Sequence, residues 1–316
     1  MSPDLIGWVV FATVVPTMLA LDLLVFNRRP HVLSLREASA WVCVWVSLGL
    51  GFGALVFATR GPVSGTEYVT GYLLEYSLSM DNVFVFAMLF AYFGVPPEHR
   101  HRLLYWGVLG AIVFRAIFIV GGTLLLDTFH FLIYGLGALL VVTGLKMAVA
   151  KGELGDPRNS RVVKFVRRLL PVTDDYRGNA FVVRENGRLM ATPMLVALAV
   201  VETSDIMFAI DSVPAVFAIT TDTFIVFTSN AFAILGLRSL YFLLAGLIDR
   251  FRYLKLGLGA ILVFAGGKML LSDVYHLPAL VSLGVILAIL GTSIVASLIA
   301  TRGEPVDPRR APEVHD

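Results

Sequence analysis

The sequence predicts an all-α polytopic membrane protein with about nine transmembrane helices, six of which form two inverted three-helix repeats. Three observations support this prediction. The chain of 316 residues has a mean hydropathy of +0.81, with 57% hydrophobic and 15% charged residues, so it is more apolar than a soluble domain. Long apolar stretches recur along the chain. Two distant segments also resemble each other and carry acidic residues at matching places.

The apolar stretches have the length of membrane-spanning helices. A helix needs roughly 20 apolar residues to cross a hydrocarbon core about 30 Å thick. The stretches that approach this length cover about residues 5–26, 38–58, 69–93, 103–125, 129–149, 192–219, 222–247, 253–271 and 278–300. We interpret residues 1–316 as a single transmembrane domain in which 150–191 forms a cytoplasmic loop.

The distribution of basic residues predicts the orientation. Most of the 25 lysines and arginines lie after the first, third, fifth and seventh stretches and in the C-terminal tail, whereas the other side holds Arg60. The positive-inside rule therefore places the N-terminus outside and the C-terminus in the cytoplasm. Orientation also explains the basic loop 150–191, so we expect the lipid bilayer, and no nucleic acid, as its polyanionic partner.

Several function classes are disfavoured by residue usage. Cys43 is the one cysteine, so the chain can form neither an intrachain disulfide nor a multi-thiolate metal site. Neither a HExxH zinc motif nor a GxSxG nucleophile motif is present, so we do not expect an enzyme. Residues 1–26 lack a basic n-region and a small-residue cleavage motif, so the first stretch is expected to be retained.

Two segments of the chain align with each other. The motif SMDNVFVFA (79–87) matches AIDSVPAVFA (209–218), and GALLVVTGLKM (137–147) matches GAILVFAGGKM (259–269). Charged residues inside the stretches then fall at corresponding places. The pairs are Glu75 with Asp205, Asp81 with Asp211, Arg115 with Arg238, and Lys146 with Lys268.

This alignment predicts repeats of three helices each, at about 69–149 and 192–271. Because three is an odd number of crossings, the second copy must cross the membrane in the opposite sense. Lys146 accordingly falls at the cytoplasmic end of its stretch and Lys268 at the outer end. Inverted repeats are an architecture of secondary transporters, whose substrate site lies near the midplane at the repeat interface.

Six acidic residues lie within the stretches. They are Asp22, Glu75, Asp81, Glu202, Asp205 and Asp211. Each costs at least about 2.5 kcal/mol in the membrane interior, so each is expected to face a partner or a wet cavity. Arg115 and Arg238 are the only deep cations. The remaining acids are therefore expected either to be protonated or to bind a cation.

Helix geometry relates three of these acids. Glu202 and Asp205, at i and i+3, share one helix face. Asp211 lies opposite Glu202 on an unbroken helix. Pro214 cannot donate to the carbonyl of Ile210, so we expect a kink or unwinding there that brings Asp211 and a freed carbonyl toward the same site.

Oxygen ligands of this kind suit hard divalent ions such as Mg²⁺, Ca²⁺ and Mn²⁺. Zinc and copper prefer histidine and cysteine, and no histidine lies deep in a stretch. The expected metal ligands are Glu75, Asp81, Asn82, Glu202, Asp205 and Asp211. Supporting positions are Asp22, Arg115, Ser212, Asn230, Arg238, Lys146 and Lys268.

The motifs EYSLSMDNVFVF and VETSDIMFAIDSVPAVFAITTDTFIVFTSNAFAILGLRSLYFLL, together with LDLLVFNRRP, resemble the signatures of the TerC family, Alx type. The resemblance covers nearly the whole chain. It implies a bacterial inner-membrane protein of a family linked to tellurite resistance, whose Alx-type members are associated with manganese export and alkaline conditions. It also implies that the six expected ligands above handle the cation.

The main hypothesis is a manganese(II) exporter that works by alternating access, with Mn²⁺ as the transported ion and no prosthetic group. Arg115 and Arg238 would hold acids or stabilise one conformation, and protons could compete with the metal. One alternative is a transporter of calcium, another cation or a cationic amino acid. Another is an accessory protein that supports secretion, or metal loading of other proteins, through its cytoplasmic loop.

The loop 150–191 has two structural signals. FVVRENGRLMAT, with Asn186-Gly187 between two apolar runs, predicts a β-hairpin. Residues 160–170 are consistent with a basic amphipathic helix on the anionic inner leaflet. A simple tether and a regulatory arm both fit these signals.

Overall fold

The computed structural model describes residues 3–21, 35–129, 131–149, 161–169, 171–173, 175–178, 180–185, 188–244, 253–271, 274 and 277–301. Within these residues the fold is a helical bundle with one small hairpin, which confirms the all-α class. The elements are α1 (Pro3–Leu21), α2 (Leu35–Arg60), α3 (Pro62–Phe93), α4 (Pro97–Thr128), α5 (Leu132–Val149), α6 (Arg161–Leu169), β1 (Val182–Glu185), β2 (Arg188–Ala191), α7 (Pro193–Phe217), α8 (Thr223–Leu235), α9 (Leu237–Leu244), α10 (Leu254–Leu270) and α11 (Ala279–Ala300).

The described helices include several that can cross a membrane. The helices long and apolar enough are Arg36–Arg60, Pro97–Leu126, Pro193–Phe217 and Ala279–Ala300, which makes 4, or 5 with the bent pair α8 and α9. Shorter apolar helices cover Leu5–Ala20 and Leu132–Ala148. Helix α3 is not among these helices, and it contains three acidic residues. The fold is thus that of a polytopic membrane protein. A helix lies in every predicted stretch, but nine crossings remain a prediction.

Helix ends follow local chemistry. Gly61 has φ of 90° between α2 and α3, and Gly94 has φ of 62° after α3, a left-handed conformation that glycine adopts without strain. Proline begins α3, α4 and α7, where its missing N–H is not needed. Asp222 caps α8, because its Oδ1 accepts from the N–H groups of Phe224 at 2.9 Å and Ile225 at 3.2 Å.

The seventh predicted stretch is broken. Helices α8 and α9 meet at Gly236 with a bend of 41°. Gly236 carries no side chain, so Trp45 of α2 and Tyr76 of α3 lie close to its backbone. The irregular backbone was predicted at Pro214 instead.

Helices α5 and α10 cross through glycines. A Cβ added to Gly144 would lie 2.5 Å from the carbonyl oxygen of Gly259, and one added to Gly266 would lie 2.5 Å from that of Gly137. The two contacts are antiparallel along the helices. Only a residue without a side chain allows backbones to approach this closely.

Three apolar clusters form the core. One joins α3, α4, α7 and α9 and includes Phe86 and Leu240. A second joins α5, α7 and α10 around Leu140 and Val216. The third packs α1 and α2 against α3 and α8. Polar side chains buried between α3, α4, α7 and α8 interrupt this apolar packing.

The hairpin predicted around Asn186-Gly187 is confirmed. Strands β1 and β2 are antiparallel, with Val182 opposite Ala191, and the two turn residues lie outside the described residues. The segment docks on the bundle, since the Tyr176 hydroxyl donates to the Phe93 carbonyl at 2.9 Å. Burial raises the pKa of Tyr176, so its hydroxyl stays protonated and able to donate. Helix α6 buries Val163 beside Met194 of α7. We call this the hairpin end of the bundle.

Candidate cation site

Arg115 of α4 organises the buried polar centre. Its side chain is 1% exposed and forms an ion pair with Glu75 of α3. Its Nη2 lies 3.4 Å from Oδ1 of Asp205 on α7. Its Nη1 donates to Ser212 Oγ at 3.3 Å and to Asn230 Oδ1 at 3.4 Å. One guanidinium therefore links residues of four helices, and we call these five residues the Arg115 network.

The Arg115 network holds more polar atoms than the guanidinium satisfies. Glu75 and Asp205 are 0% and 1% exposed. Among the described residues, Glu75 Oε2, Asp205 Oδ2 and Asn230 Nδ2 have no hydrogen-bond partner. Two carboxylates, a hydroxyl and an amide oxygen are the donors that a hard divalent cation takes. The oxygens of the network are therefore of the kind that bind either a guanidinium or a hard divalent cation.

Two predicted ligands of α3 lie near the network in sequence. Asn82 is buried and lies two helical turns beyond Glu75. Asp81 lies within helix α3, but its side chain is outside the described part of the chain. Asp22 is also outside the described residues. Ser79, between these positions, is buried with its hydroxyl unpartnered among the described residues, and the sequence analysis missed it.

Glu202 is turned toward α4. It lies one turn from Asp205 on α7, as the i, i+3 spacing predicts. A Cβ added to Gly110 of α4 would overlap the Glu202 carboxylate. Gly110 thus makes the space in which this carboxylate lies, although nothing in the sequence marked that glycine. Glu202 Oε2 is buried without a hydrogen-bond partner in the described structure.

Asp211 does not join the Arg115 network. Its Oδ1 accepts a hydrogen bond of 3.2 Å from Thr143 of α5, and Lys146 lies nearby on the same helix. Helix α7 continues as a helix through Pro214 to Phe217. The unwinding expected near Pro214 is therefore wrong, because the helix tolerates the proline in its last turn. Asp211 keeps the different helix face that an unbroken helix gives it.

The predicted acids whose side chains are described therefore form two groups. Glu75, Glu202 and Asp205 lie against α4, where Arg115 contacts Glu75 and Asp205 and where Glu202 is within electrostatic reach of Asp205. Asp211 instead contacts Thr143 of α5. No group of three or more His, Cys, Asp or Glu side chains that could hold a metal occurs in the part of the chain that the structure describes. In this conformation the Arg115 guanidinium lies where a metal ion was predicted.

Two further supporting residues lie in α9 and α10. Arg238 is buried in α9, two residues after Gly236. Lys268 lies in the last turn of α10, near Glu67 of α3. At that end of the bundle, opposite the hairpin end, Arg60 Nη1 contacts Asp222 Oδ2 at 2.8 Å. Asp222 is exposed in this ion pair, whereas the Arg60 side chain is 12% exposed and lies over the Phe224 ring. The pair was not predicted from the sequence.

Comparison with known proteins identifies relatives that match this chain over nearly its whole length. The family model described as integral membrane protein TerC family matches residues 60–304. An uncharacterized membrane protein, STKORF319, of Myxococcus xanthus is 50% identical over 313 residues, 99% of this chain and 98% of the relative. A Salmonella typhi protein named "Putative membrane-bound redox modulator Alx" is 49% identical over 297 residues, 91% of this chain and 92% of the relative. No solved structure matches the chain.

Proposed function

Because this chain belongs to the TerC family of integral membrane proteins, we propose that it exports a divalent metal cation, manganese(II), by alternating access. The main observation in support of this proposal is the ion pairing of buried Arg115 with Glu75 of α3 and Asp205 of α7. Ionisable groups inside a membrane bundle are costly and characteristically mark ion pathways. Both acids lie where two sets of helices meet, which is where an alternating-access transporter binds its substrate.

The crossing of α5 and α10 supports the inverted repeats at 69–149 and 192–271. In the sequence alignment Gly137 corresponds to Gly259, and Gly144 to Gly266. The observed contacts join Gly137 with Gly266 and Gly144 with Gly259. Replacing each glycine by its counterpart in the alignment therefore turns the first contact into the second, and the second into the first. A two-fold axis in the membrane plane produces this reciprocal, antiparallel pattern.

The donor chemistry supports a hard cation. Carboxylate, hydroxyl and amide oxygens surround the guanidinium, and Cys43 is exposed on α2. Among hard ions, the Alx-type resemblance favours Mn²⁺. The Alx relatives are named for redox modulation. One cysteine cannot form an intrachain disulfide, so we propose that any redox effect of this protein arises from export of a redox-active metal.

The proposed setting is the bacterial cytoplasmic membrane, with the N-terminus outside and the C-terminus and the hairpin end in the cytoplasm. Protons would compete with the metal for Glu75, Asp81, Glu202, Asp205 and Asp211, which would couple export to a proton gradient. Collapsing the pH gradient should then lower the export rate. Unchanged export without a gradient would contradict proton coupling alone.

The test is metal flux in proteoliposomes, with Mn²⁺, Ca²⁺, Mg²⁺ and Zn²⁺ compared for the wild type, Asp205→Asn and Asp211→Asn. We expect saturable Mn²⁺ flux that both variants lose. Asp222→Asn is the matched control, since it removes one carboxylate from an exposed ion pair, and it should keep the flux. A preference for Ca²⁺ would replace manganese as the substrate. Folded protein without flux for any metal would overturn the transport proposal.

A second candidate function is an accessory role through the hairpin end. Helix α6 buries Val163 but exposes Phe165 and Leu169, which are 61% and 65% exposed, beside Lys164 and Arg168. Such a face fits a partner protein or the anionic inner leaflet. Phe165→Ser with Leu169→Ser would remove an accessory phenotype in cells while proteoliposome flux stays at the wild-type rate. Loss of both together would argue against a separate role.

A further inference from the structure

The contacts of Arg115 cross between the two helix sets that the repeat alignment defines. Arg115 and Glu75 belong to the first set, α3 to α5. Asp205, Ser212 and Asn230 belong to the second, α7 to α10. Three of the four residues that contact the guanidinium thus lie across the boundary. A movement that separates the two sets would break these contacts.

The three contacts that Arg115 makes across the boundary are long. Charge-assisted N–H to carboxylate bonds are typically about 2.7–2.9 Å, whereas Arg115 Nη2 lies 3.4 Å from Asp205 Oδ1. Arg115 Nη1 lies 3.3 Å from Ser212 Oγ and 3.4 Å from Asn230 Oδ1, beyond the usual range of about 2.7–3.2 Å for N–H to oxygen bonds. Glu75 and Asp205 also keep oxygens without hydrogen-bond partners in the described chain. The acids are therefore only partly satisfied by the guanidinium, and a cation with more charge can compete for them.

The Arg115 guanidinium and a divalent metal ion exclude each other from the site because both are positively charged. A single guanidinium leaves one of two ionised carboxylates uncompensated, whereas one divalent ion compensates both. A guanidinium and a metal ion on the same oxygens would repel each other strongly, because the site is buried and weakly screened. The divalent ion can therefore occupy Glu75 and Asp205 only when Arg115 has withdrawn from them.

We propose that Arg115 is a tethered competitor of the transported ion, so that its guanidinium and the divalent cation occupy Glu75 and Asp205 in turn. This inference rests on the proposed function. Metal binding displaces Arg115 and frees the contacts to α7 and α8, which permits the helix sets to move. After the movement, the return of Arg115 expels the ion and closes the empty site. Arg115 is thus a positioning residue that couples ion occupancy to conformation.

The test compares Mn²⁺ affinity and Mn²⁺ flux in Arg115→Gln, Arg115→Lys and the control Arg60→Gln. Affinity is measured on purified protein in detergent from the free-ion electron paramagnetic resonance signal. We expect Arg115→Gln to bind Mn²⁺ at least about tenfold more tightly and to transport it more slowly, because the competitor that releases the ion is gone. Arg60→Gln removes the same charge from an ion pair outside the Arg115 network, with Asp222, and should keep wild-type affinity and flux.

Arg115→Lys separates competition from distant electrostatics. Lysine keeps the charge but has no planar fork to bridge Asp205, Ser212 and Asn230. A tethered competitor predicts that its Mn²⁺ affinity lies between those of the wild type and Arg115→Gln. A purely electrostatic role predicts wild-type affinity. If Arg115→Gln does not fold, the affinity of Arg115→Lys alone decides between these outcomes.

The possible failures are distinguishable. Wild-type protein that transports Mn²⁺, with unchanged or weaker affinity in both folded Arg115 variants, overturns the tethered competitor and leaves the proposed function standing. Folded wild-type protein that neither binds nor transports Mn²⁺, Ca²⁺, Mg²⁺ or Zn²⁺ overturns both.

Discussion

Two interfaces join the same helix sets through opposite chemistry. Where α3 and α4 meet α7 and α8, buried charges and hydroxyl and amide groups face each other around Arg115. Where α5 crosses α10, the contact is made by closely approaching glycine backbones. The first interface has polar atoms that can exchange partners. The second is packed against rigid backbone, so we expect it to act as a pivot while the first opens and closes.

The largest effect is expected from Arg115→Leu. Removing one partner of a buried ion pair costs about 3–5 kcal/mol, because the remaining charges are left uncompensated. The variant should unfold at clearly lower temperature in detergent. Arg115→Leu combined with Glu75→Gln and Asp205→Asn removes the whole charged set and should recover most of the stability. An unstable triple variant would show that Arg115 contributes chiefly through packing.

Substitutions of two neighbouring glycines of α10 test the close crossing of α5 and α10 that we expect to act as a pivot. Gly266→Ala would push a Cβ to 2.5 Å from the Gly137 carbonyl, so we expect a loss of about 1–3 kcal/mol. Gly267→Ala enters open space and should be neutral or slightly stabilising, since alanine favours the helix. Thermal unfolding of both purified variants measures the difference. Equal unfolding temperatures would mean that the α5 and α10 backbones are less close than described.

A functional test of the polar interface uses glycines of α4. Gly110→Ala should displace the Glu202 carboxylate and lower Mn²⁺ flux several-fold with little effect on folding, because a flexible side chain can move aside. Gly121→Ala meets open space on the same helix and is the matched control. The initial rate of flux at low Mn²⁺ is the measurement. Equal rates would remove Glu202 from the ion pathway.

The smallest effect is expected at Asp222, the exposed partner of Arg60. Asp222 is 39% exposed in its contact with Arg60, so neutralising it should cost less than about 1 kcal/mol. Asp222→Asn keeps the cap of α8, whereas Asp222→Ala also loses it and should cost about 1 kcal/mol more. Thermal unfolding distinguishes the two. A cost for Asp222→Asn as large as that of Arg115→Leu would remove the distinction between buried and exposed charge.

Local features of this protein could be predicted because they depend on neighbouring residues. Apolar length places a helix in each predicted stretch, and Asn186-Gly187 predicts the strands at 182–185 and 188–191. The spacing of Glu202 and Asp205 correctly gives one shared helix face. The motifs around Asp81 and Asp211 identify the family that residues 60–304 match.

Predictions from local sequence were wrong at positions whose structure depends on tertiary packing. Pro214 suggested an interruption of α7, but the helix continues to Phe217, and the break lies instead at Gly236. Asp211 was expected beside Glu202, yet it accepts from Thr143. Gly110, which makes the space for the Glu202 carboxylate, had no marking in the sequence.

The sequence by itself determined the membrane class, the helices, the family and the acids to consider. Only the tertiary structure decided which cation those acids meet, since Arg115 is 90 positions from Asp205, 97 from Ser212 and 115 from Asn230 in the chain. The physical reason is that hydrophobic length and helix period act between near neighbours. The pairing of buried charges depends on how distant helices pack around them.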